Sequence, residues 1–147
     1  MNGAQLHLAL NHFPVVISLL SLVLLLWYWA GKSPDLKNAG LAFVILGGAF
    51  TGIAYFTGEP AEGVIEKLPG FSESLVHEHE EAAEFALIIS GISALHAFAV
   101  FMLSRRKPKL AFGALIVVTT LTLLNCAVFL RTAHLGGLIK HEEIRTP

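Results

Sequence analysis

Four long apolar runs dominate the chain, covering about 6–30, 39–57, 79–104 and 110–132. Each has the length, about 20 residues, that the hydrocarbon core of a bilayer demands. Apart from Glu84, no Lys, Arg, Asp or Glu lies in their apolar cores at 6–30, 39–56, 82–103 and 110–130. In lipid every backbone N–H and C=O must be satisfied within the segment, so helices are predicted. The pattern predicts an all-α fold, a four-helix transmembrane bundle forming one domain over 1–147. The first run is not a secretory signal by pattern: no Lys or Arg precedes Lys32, and no small-residue cleavage site follows it. It is read as a retained helix.

Composition narrows the picture further. Of the 147 residues 54% are hydrophobic and 14% charged, with a mean hydropathy of +0.67. Soluble domains carry about 25% charge, so disorder and an ordinary water-soluble globule are excluded. A net charge of −1 gives no reason to expect a nucleic-acid partner. Cys126 is the single cysteine, which excludes a disulfide framework and any cysteine-based zinc or iron–sulfur site.

The charges are divided between two ends. Lys32, Lys37, Arg105, Arg106, Lys107 and Lys109 share one end with Asp35 alone, giving +5. Lys67, Arg131, Lys140 and Arg145 share the other with all ten glutamates, giving −6. The positive-inside rule puts the basic end in the cytoplasm, so an N-out/C-out arrangement in a bacterial inner membrane is expected, with the acidic end facing the periplasm. Trp27, Tyr28 and Trp29 close the first run at the basic end, where an interfacial aromatic belt belongs.

Six of the seven histidines fall at the acidic end: His7, His12, His77, His79, His134 and His141. Bundle sites are built from ligands on separate helices, and here four helix ends meet. His12 sits six residues into an apolar run, before Phe13-Pro14, and an ionisable group at membrane depth is a functional candidate. His77 and His79 are about 200° apart around a helix, so one of them faces inward, and His79 is nearer the apolar run. His96 lies about 21 Å into the third run at about 1.5 Å per residue, level with no other histidine, and a hydroxyl of Ser18, Ser21 or Thr119 is its expected partner. Gly40, Gly47, Gly48 and Gly52 predict close helix packing, with Gly52 and Gly58 also suited to making room for a flat cofactor. Asn125 and Cys126 are expected to bond or pack between helices.

Several stretches together resemble a known family. They are Asn11-His12-Phe13-Pro14, Thr57-Gly58-Glu59-Pro60-Ala61-Glu62, His79-Glu80-Glu81-Ala82-Ala83-Glu84 and the tail from Leu135 to Arg145. The chain resembles a group of four-span bacterial membrane proteins, a domain of unknown function with an N-terminal His-Phe-Pro motif related to modules found with cytochrome c domains. The resemblance implies His12, Glu59, Glu62, His79 and His141 as the site. Similar proteins show asparagine where this chain has His134, which therefore carries less weight.

Three functions compete. The first is a redox protein holding haem b through His12 and either His79 or His141, with Phe13, Phe50, Tyr55, Phe56 and Phe85 as slot walls and Glu59 and Glu62 as outer acceptors for the imidazoles. It would pass electrons to a periplasmic or membrane redox partner. The second is a zinc, iron or copper ion held by His12, His79, His141, Glu59 and Glu62. The third is a cofactor-free accessory subunit, and a homo-oligomer is compatible with all three. No chain of ionisable residues crosses the bundle, which argues against a pump or channel.

Overall fold

The structure, a computed structural model, describes residues 2–104 and 106–145, with Glu142 described by its backbone alone. Arg105, counted in the basic end above, lies outside the described residues. Six α-helices follow in order: α1 (Gly3–Leu10), α2 (Phe13–Gly31), α3 (Pro34–Phe56), α4 (Gly58–Ile65), α5 (Glu73–Leu103) and α6 (Pro108–Lys140). A 3-10 turn, Glu142–Ile144, follows α6, and no strand occurs among the described residues. Four stretches are long and apolar enough to cross a membrane: Gly3–Gly31, Pro34–Ile65, Glu73–Leu103 and Pro108–Lys140. The protein is a four-helix membrane-spanning bundle.

Proline sets the two places where a spanning helix gives way to a short one. The first run breaks at Asn11–His12 because Pro14 has no N–H to give to the carbonyl of Leu10, and its ring crowds that oxygen. α3 ends at Phe56 for the same reason, with Pro60 facing the carbonyl of Phe56, and the short α4 that follows lies beyond the predicted run 39–57. The other two helices overshoot their predicted ends. With 31 and 33 residues, α5 and α6 run to roughly 46–50 Å at about 1.5 Å per residue, against a hydrocarbon core of about 30 Å. Their polar ends stand outside the apolar layer.

The spanning helices close into a ring: α2 packs on α3, α3 on α5, α5 on α6, and α6 back on α2. The short helices α1 and α4 pack on each other at the acidic end. Close approach depends on small residues. A Cβ at Gly48 would stand 2.7 Å from Ala94 Cβ on α5, and one at Gly40 would stand 2.8 Å from Leu25 Cδ2 on α2. This matches the packing role expected of those glycines.

The interior changes character along its length. Toward the basic end Leu25, Leu41, Val44, Ala97, Val100, Leu115 and Val118 form one apolar cluster. The Trp29 indole closes it by donating to Thr119 Oγ1 at 3.0 Å, and the Lys32 ammonium sits 4.4 Å from the Trp29 ring centre. Midway along the bundle the core becomes polar, with Ser18, Ser21, Thr51, Ser90, Ser93, Thr122 and Asn125 all buried. The outside is the reverse: Val16, Leu95 and Leu123 are 61%, 73% and 59% exposed. Such an apolar exterior belongs against acyl chains, because water would have to be ordered around all of it.

Candidate functional site: the histidines of the acidic end

The first helix is seated before it presents a side chain. Asn2 caps α1 by accepting from Gln5 N at 2.9 Å, and Gln5 Oε1 accepts from Asn2 N at 3.0 Å. Gly3 lies flat against α4, where a Cβ would stand 2.5 Å from Pro60 O. This seating brings His7 to the end of α3, with Nδ1 at 3.1 Å from Ala54 O and 3.1 Å from Thr57 Oγ1. The Thr57 hydroxyl gives its own proton to Ala54 O at 2.8 Å. Both oxygens facing His7 Nδ1 are therefore acceptors, so Nδ1 carries the proton. In a neutral imidazole the lone pair is then on Nε2.

His79 repeats the arrangement on another pair of helices. Its Nδ1 lies 3.0 Å from Thr132 O on α6, which again places the proton on Nδ1 and the lone pair on Nε2. Gly136 lies over the ring, where a Cβ would come within 3.0 Å of Cε1 and 3.3 Å of Nδ1. Both imidazoles are half-buried. His7 interacts electrostatically with both His79 and His12, so three histidines from two chain segments share this end. Also at the acidic end, Glu62 on α4 lies within electrostatic reach of Glu80 on α5 and of Glu59 and Glu73.

The residues singled out in the sequence do not all arrive here. His12 approaches His7 but is exposed in the turn between α1 and α2, as the uncapped N-cap of α2, and not sunk among apolar side chains. His79 is in the group. His141 follows the end of α6, is exposed, and bonds Glu143 Oε1 at 2.8 Å through Nδ1. Glu62 is half-buried and Glu59 exposed, and among the described residues neither hydrogen-bonds His7 or His79. Phe13 stacks on Phe50 with ring centres 4.9 Å apart. Phe56 and Phe85 are 74% and 47% exposed. Among the described residues His77 pairs with Glu81 alone, at 3.5 Å on the same exposed helix face.

His96 departs from its expected surroundings. It is exposed on α5 and makes no hydrogen bond among the described residues. Its expected partners are committed elsewhere: Ser18 to Val15 O, Ser21 to Ile17 O, and Thr119 to Leu115 O and the Trp29 indole. Sequence reasoning missed His7, Thr57, Thr132 and Gly136. The signal for His7 was present in Asn2-x-x-Gln5, a capping box that starts a separate helix before Pro14.

The donor set fits a metal-bound group. Ligating histidines commonly donate the other ring N–H to a carbonyl, which fixes the tautomer and aims the free nitrogen. His7 and His79 both do this. Among the described residues no three His, Cys, Asp or Glu side chains converge as a set able to hold a bare metal ion. Space is less prepared than the donors. A cavity of about 80 Å³ between Ile65, Leu68, Phe71 and Ile139 is not lined by a histidine. Gly52 and Gly58, at the acidic end of α3 and the start of α4, border open space: a Cβ at either would meet nothing within 4 Å.

A scan against protein-family models, a search of the curated proteins and a search of the solved structures each return no match for this chain.

Proposed function

We propose that this protein is a redox protein of the bacterial inner membrane that holds haem b at its acidic end and passes electrons to a partner on the periplasmic side. His79 would hold the group together with His7, or with His12 on the same chain segment. The observation that carries the reading is the shared arrangement of His7 and His79. Each spends its Nδ1 proton on a main-chain oxygen of a different helix and keeps Nε2 unprotonated. A carbonyl acceptor strengthens the imidazole as a donor and holds its plane. Two such rings from separate elements would suit haem iron, which takes imidazole ligands. The open sides of Gly52 and Gly58, which helix packing does not explain, favour the approach of a flat group from that edge.

Bound haem would supply one-electron transfer. The chain's own part is to orient the two rings through Ala54, Thr57 and Thr132. The excess of glutamates at this end would favour the oxidised, more positive iron. Facing the periplasm follows from the +5 and −6 division of charge.

The test is the visible spectrum of the purified protein, air-oxidised and then reduced with dithionite. A Soret band is expected, lost in His79→Ala and in His7→Ala or His12→Ala, and retained in His96→Ala. A protein with no Soret band but one equivalent of copper, zinc or iron would replace haem with a bare ion bound by these histidines and Glu62. Neither spectrum nor metal would leave the accessory-subunit reading.

A further inference from the structure

We propose that the centre of the bundle is a binding site for a single water molecule, held by Asn125 in the middle of the membrane-spanning region. The polar layer there has used nearly all its protons. Ser18 donates to Val15 O at 2.9 Å, Ser21 to Ile17 O at 2.7 Å and Ser90 to Leu87 O at 3.1 Å. Ser93 donates to Ile89 O at 2.7 Å and Thr122 to Val118 O at 2.8 Å. Because Ser93 has spent its proton, its oxygen accepts, and Asn125 Nδ2 donates to it at 2.8 Å. That contact fixes the amide, with its nitrogen toward Ser93 and its oxygen elsewhere. Asn125 Oδ1 is left buried with no partner among the described residues, on a residue only 4% exposed.

Asn125 lines a cavity of about 10 Å³ together with Ser18, Ser21, Gly47, Ser90 and Thr122. On the α3 side Gly47 and Gly48 line it. A volume of roughly 10–15 Å³ accommodates the centre of one water. The chemistry of the walls selects the guest. Amide and hydroxyl oxygens with their protons already committed present acceptors, so the guest must donate. An apolar guest leaves Oδ1 unpaired. A desolvated cation would find no carboxylate among the lining residues at this depth. Water supplies two donors, one for Oδ1 and one for a hydroxyl oxygen, and the site needs nothing larger.

The test is NMR on the full-length protein in nanodiscs, with the asparagine side-chain amides labelled. The chain has four asparagines, Asn2, Asn11, Asn38 and Asn125. The Asn125 signal is assigned by its loss in Asn125→Leu, or by its displacement in Thr122→Val should that variant fold better. A cross-peak from the Asn125 amide to water, with the sign of a long-lived bound molecule, is expected, and it should weaken in Thr122→Val. A resolved Asn125 amide with no water cross-peak would overturn the proposal in favour of a dry cavity. An Asn125 shift that titrates with sodium or potassium would overturn it in favour of a cation.

Discussion

The Nδ1–H of His79 reaches across from α5 to the main-chain oxygen of Thr132 on α6 at 3.0 Å. Within α6 that oxygen is already committed to the amide four residues on, which belongs to Gly136. A carbonyl has two lone pairs, and here the second goes to the histidine. The bond therefore lands on the helix face where Gly136 lacks a side chain. Carbonyl and missing Cβ together make the seat of the imidazole.

Gly136→Ala should unseat the ring without replacing its donor or acceptor. The added Cβ would stand 3.0 Å from His79 Cε1, so the imidazole must shift and Nε2 with it. Loss of an orienting contact of this kind typically costs roughly 10–100-fold in metal affinity. Titration of apoprotein with hemin, followed by absorbance, should show that loss. Unchanged affinity would remove His79 from the site.

Gly48→Ala should destabilise the bundle by about 1–3 kcal/mol through overpacking. Its Cβ would meet Ala94 Cβ at 2.7 Å. Ala94→Gly in the same chain should recover most of the loss, because contacting positions are not additive. Thermal unfolding in detergent, measured for both single variants and the double variant, checks the contact. Equal loss in Gly48→Ala with and without Ala94→Gly would contradict it.

Both termini and the loop before α5 should face the periplasm. In a Cys126→Ala background, Ser74→Cys should react with an impermeant maleimide on intact spheroplasts, and Lys107→Cys should react only after lysis. Both positions are exposed. The opposite labelling pattern would reverse the orientation.

The tail should respond to acid locally. A hydrogen bond from its own backbone amide, and then one from the His141 ring, hold the Glu143 carboxyl below the usual carboxylate range. A lowered acid pKa means the contact is complete at neutral pH and is lost as pH falls through that lowered value. His141 ring resonances should move with this acid step while the melting temperature of the bundle stays constant, since both partners are solvent-exposed. A simultaneous fall in melting temperature would mean the pair supports more than the tail.

The bundle was legible because lipid leaves the chain few choices: four apolar runs of spanning length admit four helices. The glycine packing was legible too, from small residues at Gly48 and Gly40. The site was only partly legible, and the reason is Pro14. Read as one continuous helix, the first run puts His12 deepest and leaves His7 at the fringe. His7 and His12 are five residues apart, about 140° around a helix, so both were never going to face inward equally. Breaking the helix at Asn11 lets α1 fold against α4, which turns His7 to Ala54 and Thr57 and leaves His12 exposed. Thr132 and Gly136 were invisible for another reason. Their role depends on how α6 is rotated against α5, and no periodicity in a run that is apolar on every side records that rotation.

The contact between Gly3 and Pro60 has a consequence for how this end of the molecule opens. α1 and α4 are eight residues each, well below the roughly 12–15 at which isolated helices persist in water. Neither has reason to stay helical once the other leaves. They should therefore exchange their amide hydrogens as one unit, with a common opening free energy below that of the spanning ring. Because His7 rides on α1, the same event that exposes those amides releases its imidazole from Ala54.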